Sequence, residues 1–102
     1  MARAAIPVAI EATNAASPGV RITGARVIEL VAYHARDGLP AVARLLADPV
    51  TAVRVAALEA LCECGANASP YRDAVAALVT RGETEEERLS ATDALANIDT
   101  VE

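Results

Sequence analysis

The chain repeats itself. Arg21, Arg54 and Arg88 stand 33 and then 34 residues apart, and one pattern follows each of them. An aliphatic residue comes next (Ile22, Val55, Leu89), a small one three positions on (Gly24, Ala57, Ala91), and an aliphatic one seven positions on (Ile28, Leu61, Leu95). Ten positions on stand Val31, Cys64 and Ile98. A shorter apolar pattern precedes each stretch: Ile6, Ala9 and Ile10, then Val42, Leu45 and Leu46, then Val75, Leu78 and Val79. Spacings of three, four and seven mark one face of an α-helix. A period of this length means stacked helical units, none of which can bury its apolar face alone. The sequence therefore predicts an all-α fold, a short α-solenoid of three helical hairpins with six helices. Their ranges are residues 2–37, 38–66 and 67–102, within one domain, because 102 residues leave no room for a second core.

Local chemistry supports these divisions. Ser17-Pro18, Asp48-Pro49 and Ser69-Pro70 each place a capping side chain before a proline that suits the first helical position. Thr84 followed by Glu87 spells a capping box, and Gly38, Gly65 and Gly82 fall where helices should stop. No segment alternates at period two for long enough to make a strand. In the middle repeat only Glu59 and Glu63 interrupt an apolar surface that runs round most of the helix, so that helix needs packed neighbours on more than one side. The 25 alanines fit the same picture, since small side chains let stacked helices approach closely. Gly24 is read as one such tight contact.

Charge and composition exclude several functions. The net charge is −5, all nine basic residues are scattered arginines, and a nucleic-acid module would need a basic patch or stripe. With no Phe or Trp and two Tyr, base stacking and aromatic anchors are nearly unavailable. Glu11, Arg21 and later charges break every apolar run before it could span a bilayer, and the start is not read as a signal peptide. A cytoplasmic location is expected. Glu85-Glu86-Glu87 is read as a solvated helix first turn, where the helix dipole favours acids.

The run Asp48-Pro49-x-x-x-Val53-Arg54-x-Ala56-Ala57-x-x-Ala60-Leu61 resembles a HEAT repeat, of the short kind found in phycobilisome lyase-type proteins. The resemblance extends over essentially the whole chain. It implies that the second helix of each hairpin lines a concave face. It also implies that Arg21, Arg54 and Arg88 join a structural ladder with Asp48 as an acidic partner. The first repeat departs from the pattern with Ser17 near the Asp position, and the third has Glu83 there and Glu87 in place of the Val. The run Arg88-Leu89-Ser90-Ala91-Thr92-Asp93-Ala94-Leu95 is also similar to HEAT-like segments appended to some bacterial sulfatases. That likeness implies an accessory C-terminal domain of a larger hydrolase.

No catalytic or metal-binding constellation is expected, and no cofactor. His34 lies at the polar edge of its helix with no nucleophile to serve. Cys62 and Cys64 point about 200° apart on a helix and are read as core filling. What remains is protein–protein interaction or scaffolding. The candidate partner face is the ridge of the second helices: Arg26, Leu30 and Tyr33, then Glu59 and Glu63, then Asp93 and Asn97. The first helix is so apolar that Ile6, Val8 and Ile10 are expected to meet a cover, whether an upstream domain, a homodimer partner or another chain.

Overall fold

The computed structural model describes residues 2–31 and 37–99. Among the described residues there are six α-helices and no strand. They are α1 (Ala2–Ala12), α2 (Pro18–Leu30), α3 (Leu39–Arg44), α4 (Thr51–Cys64), α5 (Arg72–Arg81) and α6 (Glu85–Ile98). A 3-10 turn, Leu45–Ala47, extends α3, and a second one, Gly65–Tyr71, leads into α5. The long helices α2, α4 and α6 lie side by side, with α4 packed against both others. The odd-numbered helices each pack on the helix that follows them. The extents are 34 × 34 × 17 Å, and the thin direction is what two helix layers about 8–10 Å apart require.

The middle helix lies in the core as its composition demands. Val53, Val55, Ala56, Ala57, Leu58, Ala60, Leu61 and Cys64 are all buried, leaving Glu59 and Glu63 on the outer side. Ile28, Val42, Val53, Leu58, Leu61 and Val75 are the largest fully buried apolar side chains. Ala25, Ala57, Ala91 and Ala94 are buried where the helices meet, so the alanine excess sets how closely the layers approach. At Gly24 an added Cβ would lie 2.7 Å from the Ala9 carbonyl oxygen and 2.9 Å from the Thr13 amide nitrogen. Here α1 and α2 touch backbone to backbone.

The helix ends differ from the sequence expectation in places, for physical reasons. Ser17 does cap α2, its hydroxyl accepting the Val20 N–H at 3.5 Å. Asp48 caps no helix: its carboxylate takes the Val50 N–H at 2.9 Å and a guanidinium from the first hairpin, and α4 starts only at Thr51. Pro70 lies inside the 3-10 turn, and α5 begins after it at Arg72. Gly38 stands at the N-cap of α3. Gly65 ends α4 with φ 57° and ψ −133°, a conformation that side chains resist. Gly65→Ala should therefore lower stability by about 1–2 kcal/mol in a reversible melt, although alanine favours helix elsewhere.

Candidate functional site

The three repeat arginines adopt one pose. Nη1 donates to the carbonyl six positions earlier in each case: Arg21 to Ala15 at 3.0 Å, Arg54 to Asp48 at 2.7 Å, Arg88 to Gly82 at 2.8 Å. In Arg21 and Arg54, Nε and Nη2 then reach into the next hairpin. From Arg21 they grip the Asp48 carboxylate at 2.7 and 3.1 Å. From Arg54 they grip Glu87 at 2.6 and 3.1 Å, and Nη2 also donates to Glu83. Each of these two side chains thus ties its own turn to the hairpin that follows. Asp48 faces the arginine before it, and gives Arg54 only its backbone carbonyl. Bidentate guanidinium–carboxylate pairs of this kind fix geometry as well as adding energy.

Glu87 departs from its expected place in a solvated acidic turn. Glu85 and Glu86 are exposed, but the Glu87 side chain has 0% exposure. Its carboxylate accepts from Arg54 and from the Glu83 N–H at 2.9 Å, while its own N–H donates to Thr84 at 3.1 Å. Only half of the expected capping box forms, because the carboxylate is turned towards Arg54. Its pKa is held below the ordinary carboxylate value by the Arg54 hydrogen bonds, against the opposing effect of burial. Burial alone would raise Asp48, but its bonds from Arg21 and the Val50 N–H outweigh that and lower it. The signal for Glu87 was in the register: it stands where Val20 and Val53 stand, 33 residues after Arg54.

Across the outer side of α2, α4 and α6 runs an open groove of about 270 Å³. α2 contributes Arg26 and Glu29, α4 contributes Glu59, Cys62 and Glu63, and α6 contributes Ser90 and Asp93. Four carboxylates therefore face one guanidinium, and Arg26 already pairs with Glu59 at 3.3 Å and approaches Glu29 at 4.0 Å. Three groups register the negative field left over. Desolvation, then Glu59, raise the Glu29 carboxyl. Desolvation, then Asp93 and Glu63, raise the Cys62 thiol, and burial with Glu63 and Glu29 pushes Cys64 up to about 11. The carboxylates are spread along the groove: among the described residues no three ligand-type side chains are grouped closely enough to hold a metal ion.

The groove gathers Arg26, Glu59, Glu63 and Asp93 from the predicted ridge and adds Glu29, Cys62 and Ser90, which the sequence reading left out. Glu29 and Cys62 share one register position, eight residues after their arginines, so the period contained that signal. Asn97 does not line the groove; its amide donates to the Cys62 carbonyl at 3.1 Å and clamps α6 to α4. Leu30 is 83% exposed but stands outside the groove lining. Tyr33 and His34 lie outside the described residues. At the N-terminal helix the expected trio divides. Ile6 is only 4% exposed and turns into the core, Ile10 packs against the core, and Val8, 67% exposed, faces outward. Residues two apart on a helix point to nearly opposite sides, so Ile6 and Val8 cannot share one surface.

Residues 39–68, the α3–α4 hairpin and the start of the following turn, match the family model described as HEAT repeat. A search of curated proteins finds no match to the chain. Among the described residues no helix is long and apolar enough to cross a membrane.

Proposed function

We propose that this chain, an all-α stack whose middle hairpin is a HEAT repeat, is a non-catalytic protein-interaction module that takes a basic segment of a partner along its acidic groove. The observation that carries this reading is the excess of carboxylates on a side chain-lined groove spanning all three long helices. Such a surface raises the local concentration of cationic side chains and speeds encounter with them. An arginine or lysine entering between Glu29, Glu63 and Asp93 would offset repulsion that now raises the Glu29 carboxyl. The thiols support a binding role over a chemical one, since burial and nearby carboxylates keep Cys62 and Cys64 protonated and poorly nucleophilic at neutral pH.

A short arginine-containing peptide, titrated into labelled protein at low salt, should move the amide signals of Glu29, Glu59, Cys62, Glu63 and Ser90. Signals on the opposite side, around Val8 and Arg44, should stay in place. The combined variant Glu59→Gln, Glu63→Gln, Asp93→Asn should weaken that binding about tenfold or more, and raising the salt should do likewise. Shifts spread evenly over the surface, or unchanged affinity in the triple variant, would remove the groove from consideration.

A further inference from the structure

The arginine series breaks off at its third member. Arg21 and Arg54 each use Nη1 on their own turn and Nε with Nη2 on a carboxylate of the next hairpin. Arg88 keeps the first half of this pose, with Nη1 on Gly82 at 2.8 Å. Gly82 leaves room for it: an added Cβ there would lie 2.9 Å from the Arg88 Cγ. No described carboxylate meets its Nε–Nη2 edge, the edge that Arg21 and Arg54 use on the following hairpin.

The apolar neighbours of Arg88 are uncovered too. Val55, directly after Arg54 in a helix packed on both sides, is 7% exposed, whereas Leu89, directly after Arg88, is 58% exposed. Ala41 is buried between hairpins, while Ala74 at the matching position of α5 is exposed. Thr92 is exposed where Leu58 is enclosed, which makes this end less apolar than an internal joint.

We infer that the exposed end of the α5–α6 hairpin is a docking surface for a helical hairpin of a partner protein that carries a carboxylate in its turn or at its second helix's first turn. Arg88 is the recognition group, gripping that carboxylate as Arg54 grips Glu87, and Leu89 supplies the apolar contact. Head-to-tail stacking of a second copy of this chain is disfavoured by its own sequence. The positions that hold Asp48 in the second hairpin, and Glu83 and Glu87 in the third, hold Ala15, Ala16 and Val20 in the first. Stacking head to tail would cover Arg88 with no acid to meet it, and a desolvated, unpaired guanidinium is strongly disfavoured.

That mismatch supplies the test. A probe chain carrying Ala16→Glu and Val20→Glu recreates the Glu83–Glu87 arrangement on an exposed first hairpin, and Arg88→Ala in the same probe stops it polymerising. Mixed with the unmodified chain, the probe should form a 1:1 complex in sedimentation velocity, at least about tenfold tighter than any self-association of the unmodified chain. A chain carrying only Arg88→Ala should lose that complex, and Arg88→Lys, which keeps charge but not the two-pronged grip, should weaken it. Melting curves that match the unmodified chain establish that each variant is folded. No complex up to about 1 mM protein would overturn the inference, as would equal binding of the probe by the Arg88→Ala chain. Equal self-association of the unmodified chain would overturn the carboxylate requirement.

Discussion

Arg54→Ala should cost about 3–5 kcal/mol of stability, the largest loss expected from a single change in this chain, because it leaves the Glu87 carboxylate buried without its cation. Three further bonds go with it, to the Asp48 carbonyl, the Thr51 hydroxyl and the Glu83 carboxylate. For a domain of this size the melting temperature should fall by about 15 °C or more. Glu87→Gln should be milder, since the amide oxygen can still accept from Arg54 and the guanidinium keeps Glu83 as its counter-ion. A pH series separates the two. Glu87 has a folded pKa below its ordinary value, so its pairing contributes stability that is fully present above the unfolded carboxylate pKa. That contribution is lost as pH falls through the lowered folded value. Asp48, lowered by Arg21, titrates in the same sense. The unmodified chain should therefore lose stability steeply below about pH 4.5. Glu87→Gln should flatten that slope. Equal acid slopes in both chains, measured by urea unfolding at fixed pH, would show that the pair does not carry the acid sensitivity.

Gly24→Ala should be destabilising by about 2 kcal/mol, against the helix-propensity gain of about 1 kcal/mol that the same change gives in an open helix. The new methyl would press on the Ala9 carbonyl oxygen at 2.7 Å and on the Thr13 amide nitrogen at 2.9 Å. Backbone cannot swing aside as a flexible side chain can, so α1 as a whole must shift, and the buried Ile6 and Ala9 with it. Gly24→Val should be worse still. Gly19 is the control: its nearest obstacle is the Ser17 hydroxyl at 3.7 Å, so Gly19→Ala should be neutral or stabilising by about 0.5 kcal/mol. Denaturant midpoints for the three variants would decide it, and a stabilised Gly24→Ala would mean that the two helices are farther apart than described here.

The parts of this molecule that were legible in sequence are those set by period and by local backbone chemistry. Burial of α4 on most of its circumference could be read from Val53 to Cys64 because only Arg54 and two glutamates interrupt the apolar residues. The close approach at Gly24 could be read because a glycine replaces the alanines found at its repeat positions. Glu87 was misplaced because three acids in a row look like a helix start, and the first turn's preference for acids is satisfied either way. Its burial depends on a guanidinium from another hairpin, 33 residues earlier in the chain. Ile6 and Val8 were assigned to one surface from composition alone, and only the packing of α1 on α2 shows which of them faces inward.

The groove sharpens the same division. Its members come from three helices, and sequence placed them on one ridge because Arg26, Glu59 and Asp93 recur five residues after their arginines and Glu63 lies one turn further along. Asn97 shares that ridge on paper, and it is exposed, yet its amide reaches across to the Cys62 carbonyl at the C-terminal end of α4 instead of lining the groove. The sequence by itself determined the all-α fold, the three hairpins and the arginine at each joint, because a repeated pattern of apolar residues has one low-energy way to stack. Only the tertiary structure decided which carboxylate each arginine holds, and that Arg88 holds none among the described residues. Charge pairing acts across hairpins at distances of about 3 Å, and a linear order of residues does not encode which side chains come that close.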